Sequence, residues 1–194
     1  SYSAMLVLIT GAFVDGFAGI VSHILATRIK QLEQTNQVAD FKILKELFES
    51  SNLDEFEKDV VGPLPVVSSD QFNSPSPLHP IQAVLWFITF GGRFDSKWEN
   101  RITRVVPKTP IPLSPQITAP FIKVPTLMLV EKNDEMVHCN PEVQLAVFNS
   151  IKSKKEFYAI NGGHFGCLHP DTALFQEALQ REVSFIKSID EELT

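Results

Sequence analysis

The segment from Val124 onward constrains the fold more than any other part of the chain. VPTLMLV, Val124 to Val130, is a continuous apolar run of strand length, the pattern of a strand buried on both faces. A polar loop, EKNDEMVHC, follows it. Then comes NPEVQLAVFNSI, with Asn140 placed to cap a helix and Pro141 at its first position. KEFYAI is a second strand and GGHFGCLHP a second loop. DTALFQEALQREVSFIKSI is a second helix, with Phe175, Leu179, Val183 and Ile186 on one stripe. Strand, helix, strand, helix is a βαβα unit, and its crossover makes the two strands parallel. The chain is therefore expected in the α/β class.

The beginning of the chain has the same character. Ala4 to Thr10 is apolar nearly all round, as in a helix buried on most sides, with Gly11 as its expected end. GIVSHI, Gly19 to Ile24, follows as a short core strand. The stretch AMLVLITGAFVDGFAGIV is neither a signal peptide nor a membrane span: no basic residue precedes it, and Asp15 and three glycines interrupt it.

From Arg28 the pattern changes. DFKILKELFES has Phe41, Leu44, Leu47 and Phe48 at helical spacing, and NLDEFEKDVV continues in the same amphipathic style. Ten of the thirteen prolines lie between Pro63 and Pro120. Within that stretch PIQAVLWFITFGG is a helix starting near Pro80 and ending at Gly91, and RFDSKWENRITRVVPKTPIPLSP runs exposed or semi-extended. The expected organisation is one largely helical, Pro-rich insertion over residues 28–118. Residues 1–27 and 119–194 form the sheet domain around it.

Composition narrows the function classes. The 194 residues, 44% hydrophobic and 21% charged, suit one soluble domain with a real core. The net charge is −6, and no long basic cluster supports nucleic-acid binding. Cys139 and Cys167 make no disulfide framework and fit a reducing, cytoplasmic setting. No paired zinc spacing is present, so no metal is expected, and a metal-dependent reading through His138, His164 and His169 is the least favoured.

In an open parallel sheet, ligands collect beyond the carboxyl ends of the strands. Asp134 lies four residues after Val130, and His164 four after Ile160. On neighbouring strands the two project from the same rim, where a carboxylate can hold an imidazole's tautomer. Glu131 and Glu135 are the alternative acids. Gly162, Gly163 and Gly166 are expected to let the backbone turn and to leave room for a substrate beside the ring.

VPTLMLVEKNDEMV followed by KEFYAINGGHFG and a closing helix resembles the C-terminal end of the α/β-hydrolases. The resemblance makes Asp134 the acid and His164 the base, in the chain order nucleophile, acid, histidine. The complete G-x-S-x-G motif is absent. SYSAMLVLITG resembles the second half of the G-x-S-Y-S elbow of the Xaa-Pro dipeptidyl-peptidase and cocaine-esterase group. That match makes Ser1 the nucleophile, with Ser3 as second choice, and the Tyr2 backbone N–H an oxyanion donor. It also makes residues 28–118 a cap insertion.

The implied activity is a serine hydrolase acting on an ester, amide or peptide bond of a small molecule or peptide, with no metal or organic cofactor. Cys167 is a weaker nucleophile choice, because it follows the histidine loop and not an elbow. Trp86, Phe87, Phe90 and Trp98 are divided between packing and an apolar acyl pocket; a solvated loop is the favoured reading for Arg93 and Arg101, and contact with a substrate carboxylate is the alternative. The resemblance covers the family's C-terminal half, so one sheet edge is expected to lack a partner within the chain. Upstream sequence, a second chain or a homodimer would complete it. A non-catalytic binding or scaffold role is the alternative.

Overall fold

In the computed structural model, which describes residues 1–27, 36–50, 57–91, 93, 95–109 and 111–193, the chain divides into two units. One comprises Ser1–Ser50 and Pro112–Thr194, the other Ser51–Ile111. The elements are α1 (Tyr2–Phe13), β1 (Ile20–His23), α2 (Gln37–Ser50), β2 (Lys58–Leu64), α3 (Ile81–Phe90) and β3 (Ile102–Pro107). They continue with α4 (Pro115–Thr118), β4 (Thr126–Glu131), α5 (Pro141–Ser150), β5 (Lys155–Ile160) and α6 (Ala173–Leu193).

The first unit is built on a parallel sheet of order β1-β4-β5. β4 lies between its two neighbours, and all six of its residues are buried, which is why its sequence is continuously apolar. Met128 packs with Met5, Leu8, Ile20, Val147 and Ile151, placing α1 and α5 on one face. Leu127 and Leu129 pack with Ile160, Ala178, Phe185 and Ile189, placing α6 on the other. Each such fully buried side chain contributes about 1.5–3 kcal/mol. α5 begins as expected: the Asn140 side chain accepts the Glu142 N–H at 2.8 Å, and Pro141 needs no acceptor.

Several expectations are corrected. α1 runs through Gly11 to Phe13. A Cβ on Gly11 would lie 2.2 Å from Ile20 Cδ1, so this glycine serves close helix-to-strand packing and does not end the helix. On α6, Leu179, Val183 and Ile186 are exposed, whereas Ala178, Phe185 and Ile189 are buried. The core face lies about 100° round the helix from the expected stripe.

α2 belongs to the sheet unit, where Phe41 stacks between Phe13 and Phe121. Lys58–Val61, expected to continue a helix, is strand: Val60 pairs with Val105 and Val61 with Arg104 in an antiparallel ribbon. β-Branched residues facing each other across two strands outweigh the weak helical pattern. The expected extended segment after Gly91 contains β3. The described residues of Ser51–Ile111 form one helix and two strands, while α2 and α4 are the other helices within 28–118.

Calls that rest on residues 28–35, 51–56, 92, 94 and 110 lie outside the described residues. Among the described residues, no helix is long and apolar enough to cross a membrane.

Candidate active site

Because the three strands run parallel, their carboxyl ends share one rim. Ser1 is brought there by its carbonyl, which accepts the N–H of Ala26, three residues beyond β1, at 3.2 Å. The same oxygen takes the Met5 N–H and opens α1. The segment after β1 is tied in turn to the loop after β4. Thr27 donates its N–H and its hydroxyl to the His138 carbonyl at 2.7 and 3.0 Å. Gln144, fully buried, accepts the Leu25 N–H at 3.1 Å and donates to the Cys139 carbonyl at 2.7 Å. One amide thereby satisfies two backbone groups from separate loops.

Asp134 and His164 meet on this rim. His164 Nδ1 lies 2.9 and 3.1 Å from the two carboxylate oxygens of Asp134. The side chains are 7% and 0% exposed, so solvent screens this interaction little. The Met136 N–H adds a bond of 2.8 Å to Asp134 Oδ1. A buried carboxylate needs such donors. Glu135, an alternative acid, instead accepts the His164 backbone N–H at 2.9 Å and so holds the loop that carries the ring. Ser1, the N-cap of α1, thus sits on the rim that carries the pair. Tyr2 is in the first turn of α1, where N–H groups lack intrahelical acceptors and the helix dipole is positive.

No protein-family model and no curated protein matches the chain. Its backbone is similar to that of DcsB, solved in complex with a substrate analogue, at TM-score 0.54 and 18% identity over 97% of this chain and 62% of that one. The fold is that of the α/β-hydrolases. The chain is also similar to a structure from the metagenome-derived lipolytic enzymes LipS and LipT, at TM-score 0.47 and 21% identity over 97% and 62% of the two chains. A further similar structure is the monoacylglycerol lipase of Paleococcus ferrophilus, at TM-score 0.47 and 17% identity over 96% and 65%. The chain thus spans 62 to 65% of the length of these three solved chains.

Within this hydrolase fold the glycines of the last loop have a different purpose from the one expected. A Cβ on Gly162 would lie 2.4 Å from Glu131 Oε2, and one on Gly163 would lie 2.8 Å from Glu135 Oε2. Their missing side chains make room for the chain's own carboxylates. A Cβ on Gly166 would approach Leu174 Cδ1 at 3.3 Å.

Neither cysteine is an activated nucleophile. Burial, reinforced by the Asp134 and Glu135 carboxylates, pushes the Cys139 thiol up to about 12. Its sulfur lies within 4.8 Å of an Asp134 carboxylate oxygen. Burial and the Glu131 carboxylate push the Cys167 thiol up as well. A thiol kept neutral attacks slowly. The Cys139–Asp134 contact, the Gln144 clamp and the Glu135 bond had no signal in the sequence beyond their polar residue types, because each joins separate parts of the chain.

Proposed function

We propose that the chain carries the nucleophile, acid and base of a serine hydrolase that transfers an acyl group from an ester, amide or peptide bond to water. Ser1 Oγ attacks the carbonyl while His164 Nε2 takes its proton, then returns it to the leaving group. Asp134 holds the ring by Nδ1 and stabilises the imidazolium. The Tyr2 N–H faces the developing oxyanion at the positive end of α1. The observation that carries this reading is the buried two-oxygen grip of Asp134 on His164 Nδ1, which leaves Nε2 as the proton-accepting nitrogen.

The substrate is a small ester, amide or peptide. SYSAML resembles the elbow of the Xaa-Pro dipeptidyl-peptidases and cocaine esterases, which supports a substrate of that kind. β1 has one neighbour in the described sheet. Upstream sequence, a second chain or a second copy pairs with its other edge. Two free, buried cysteines support a reducing compartment such as the cytoplasm.

A non-catalytic binding role is the second reading. It is favoured by the partnerless edge of β1 and by Tyr2 N–H being the one oxyanion donor identified among the described residues. Hydrolysis of p-nitrophenyl esters separates the two, measured on the chain alone and with its sheet completed. The hydrolase reading expects turnover that falls about a thousandfold or more in His164→Ala. Unchanged turnover in that variant, or none in any form, overturns it in favour of binding.

A further inference from the structure

A second set of buried donors lies close to the His164–Asp134 pair. One ring nitrogen of His23, one carboxylate oxygen of Glu131 and the Cys167 sulfur all lie within 4.8 Å of one another. His23 ends β1, Glu131 ends β4, and Cys167 is in the 3-10 turn that follows His164. Two strand ends and a turn beyond a third strand therefore converge on one point.

Two features of this cluster are unusual for packed side chains. Glu131 is 0% exposed, yet neither of its carboxylate oxygens has a partner at ordinary hydrogen-bond distance among the described residues, and the groups directed at it are the thiol and backbone N–H of Cys167. Gly162 is the one residue type that leaves room for that carboxylate. His23 Nε2 is likewise buried without a partner, while Nδ1 lies 3.0 Å from Glu182 Oε1. A metal-binding imidazole commonly gives its other ring N–H to a carboxylate, which fixes the tautomer and aims the free lone pair. Glu177 and Glu182 add negative charge around the Cys167 sulfur.

We propose that His23, Glu131 and Cys167 bind a zinc ion, with Glu182 orienting His23. A nitrogen, an oxygen and a sulfur donor suit zinc's tetrahedral preference and disfavour calcium and magnesium, which take oxygen ligands. Binding replaces the Cys167 S–H bond with S–Zn and releases that proton to solvent, with no change of oxidation state. Water takes the fourth position. The His23 side chain, 22% exposed, leaves a path for entry. Glu131 lies three residues before Asp134, and Cys167 three after His164. The ion thus ties together the two loops that carry the acid and the base. This site stands apart from the hydrolase reading, because its donors and its test are independent of turnover.

The full chain, stripped with chelator, is titrated with zinc and separately with cobalt(II). One zinc per chain after gel filtration is expected, with a thiolate-to-cobalt charge-transfer band in the near ultraviolet. Cys167→Ser abolishes the band, and Glu131→Gln and His23→Gln each weaken zinc affinity at least tenfold. Cys139→Ser leaves both unchanged. Circular dichroism establishes that each variant is folded. Should Cys167→Ser unfold, the other two variants carry the test. Absence of the band in the wild type overturns the proposal. So does a band lost in Cys139→Ser, which would put the ion on Asp134, Cys139 and His164, or zinc affinity unmoved by Glu131→Gln and His23→Gln.

Discussion

Asp134 grips His164 Nδ1 with both carboxylate oxygens, at 2.9 and 3.1 Å, in a pocket where the acid is wholly buried and the imidazole nearly so. An acceptor at Nδ1 fixes the tautomer with its lone pair on Nε2. Asp134→Asn presents an amide that can donate to Nδ1 and stabilise the opposite tautomer. Ester turnover should fall on the order of a thousand- to ten-thousandfold with KM little changed. Steady-state kinetics check this split.

Gly163 is held to its size by Glu135, which accepts the His164 backbone N–H. Gly163→Ala pushes that carboxylate away and loosens the loop bearing the ring. We expect kcat to fall at least tenfold while the melting temperature drops only a few degrees, read from kinetics and calorimetry side by side.

The Gln144 clamp is a matter of stability. Gln144→Ala leaves the Leu25 N–H and the Cys139 carbonyl buried and unpaired. Each orphaned group costs about 1–3 kcal/mol. Urea unfolding should show a loss of about 2–5 kcal/mol, whereas alanine at exposed Glu46 should change stability by less than about 0.5 kcal/mol.

Cys139 gives a pH signature. Its thiol is raised from an ordinary 9.0 to about 12, so the folded chain holds this proton more tightly than the unfolded chain. The contribution is complete below pH 9 and is lost as pH rises from there toward about 12. The slope is at most about 1.4 kcal/mol per pH unit. Stability curves at pH 8 and pH 10 should diverge more for the wild type than for Cys139→Ala.

The sequence carried the central strand and the two loops at its rim. Burial on both faces leaves a continuous apolar run, and Asn140-Pro141 marks a helix start in any context. Asp134 and His164 could be paired because each follows the last apolar residue of a neighbouring strand, Val130 or Ile160, by four residues. The core face of α6 was hidden by Ala178, whose small side chain carries little pattern. The larger Leu179, Val183 and Ile186 drew the stripe to the solvent side. β2 and β3 were obscured because each is stabilised by the other, far away in sequence, and not by a local period. The same distance hid the Glu131, Cys167 and His23 cluster, whose ligand spacing exists only after the sheet has formed.

The central claim is that Ser1 is the nucleophile served by His164. A fluorophosphonate probe followed by peptide mass spectrometry tests it most directly, on the chain with its sheet completed ahead of Ser1. The account predicts one adduct, on Ser1 Oγ, which disappears in His164→Ala. No adduct on Ser1, or an adduct on Ser3 or elsewhere that survives His164→Ala, would contradict it.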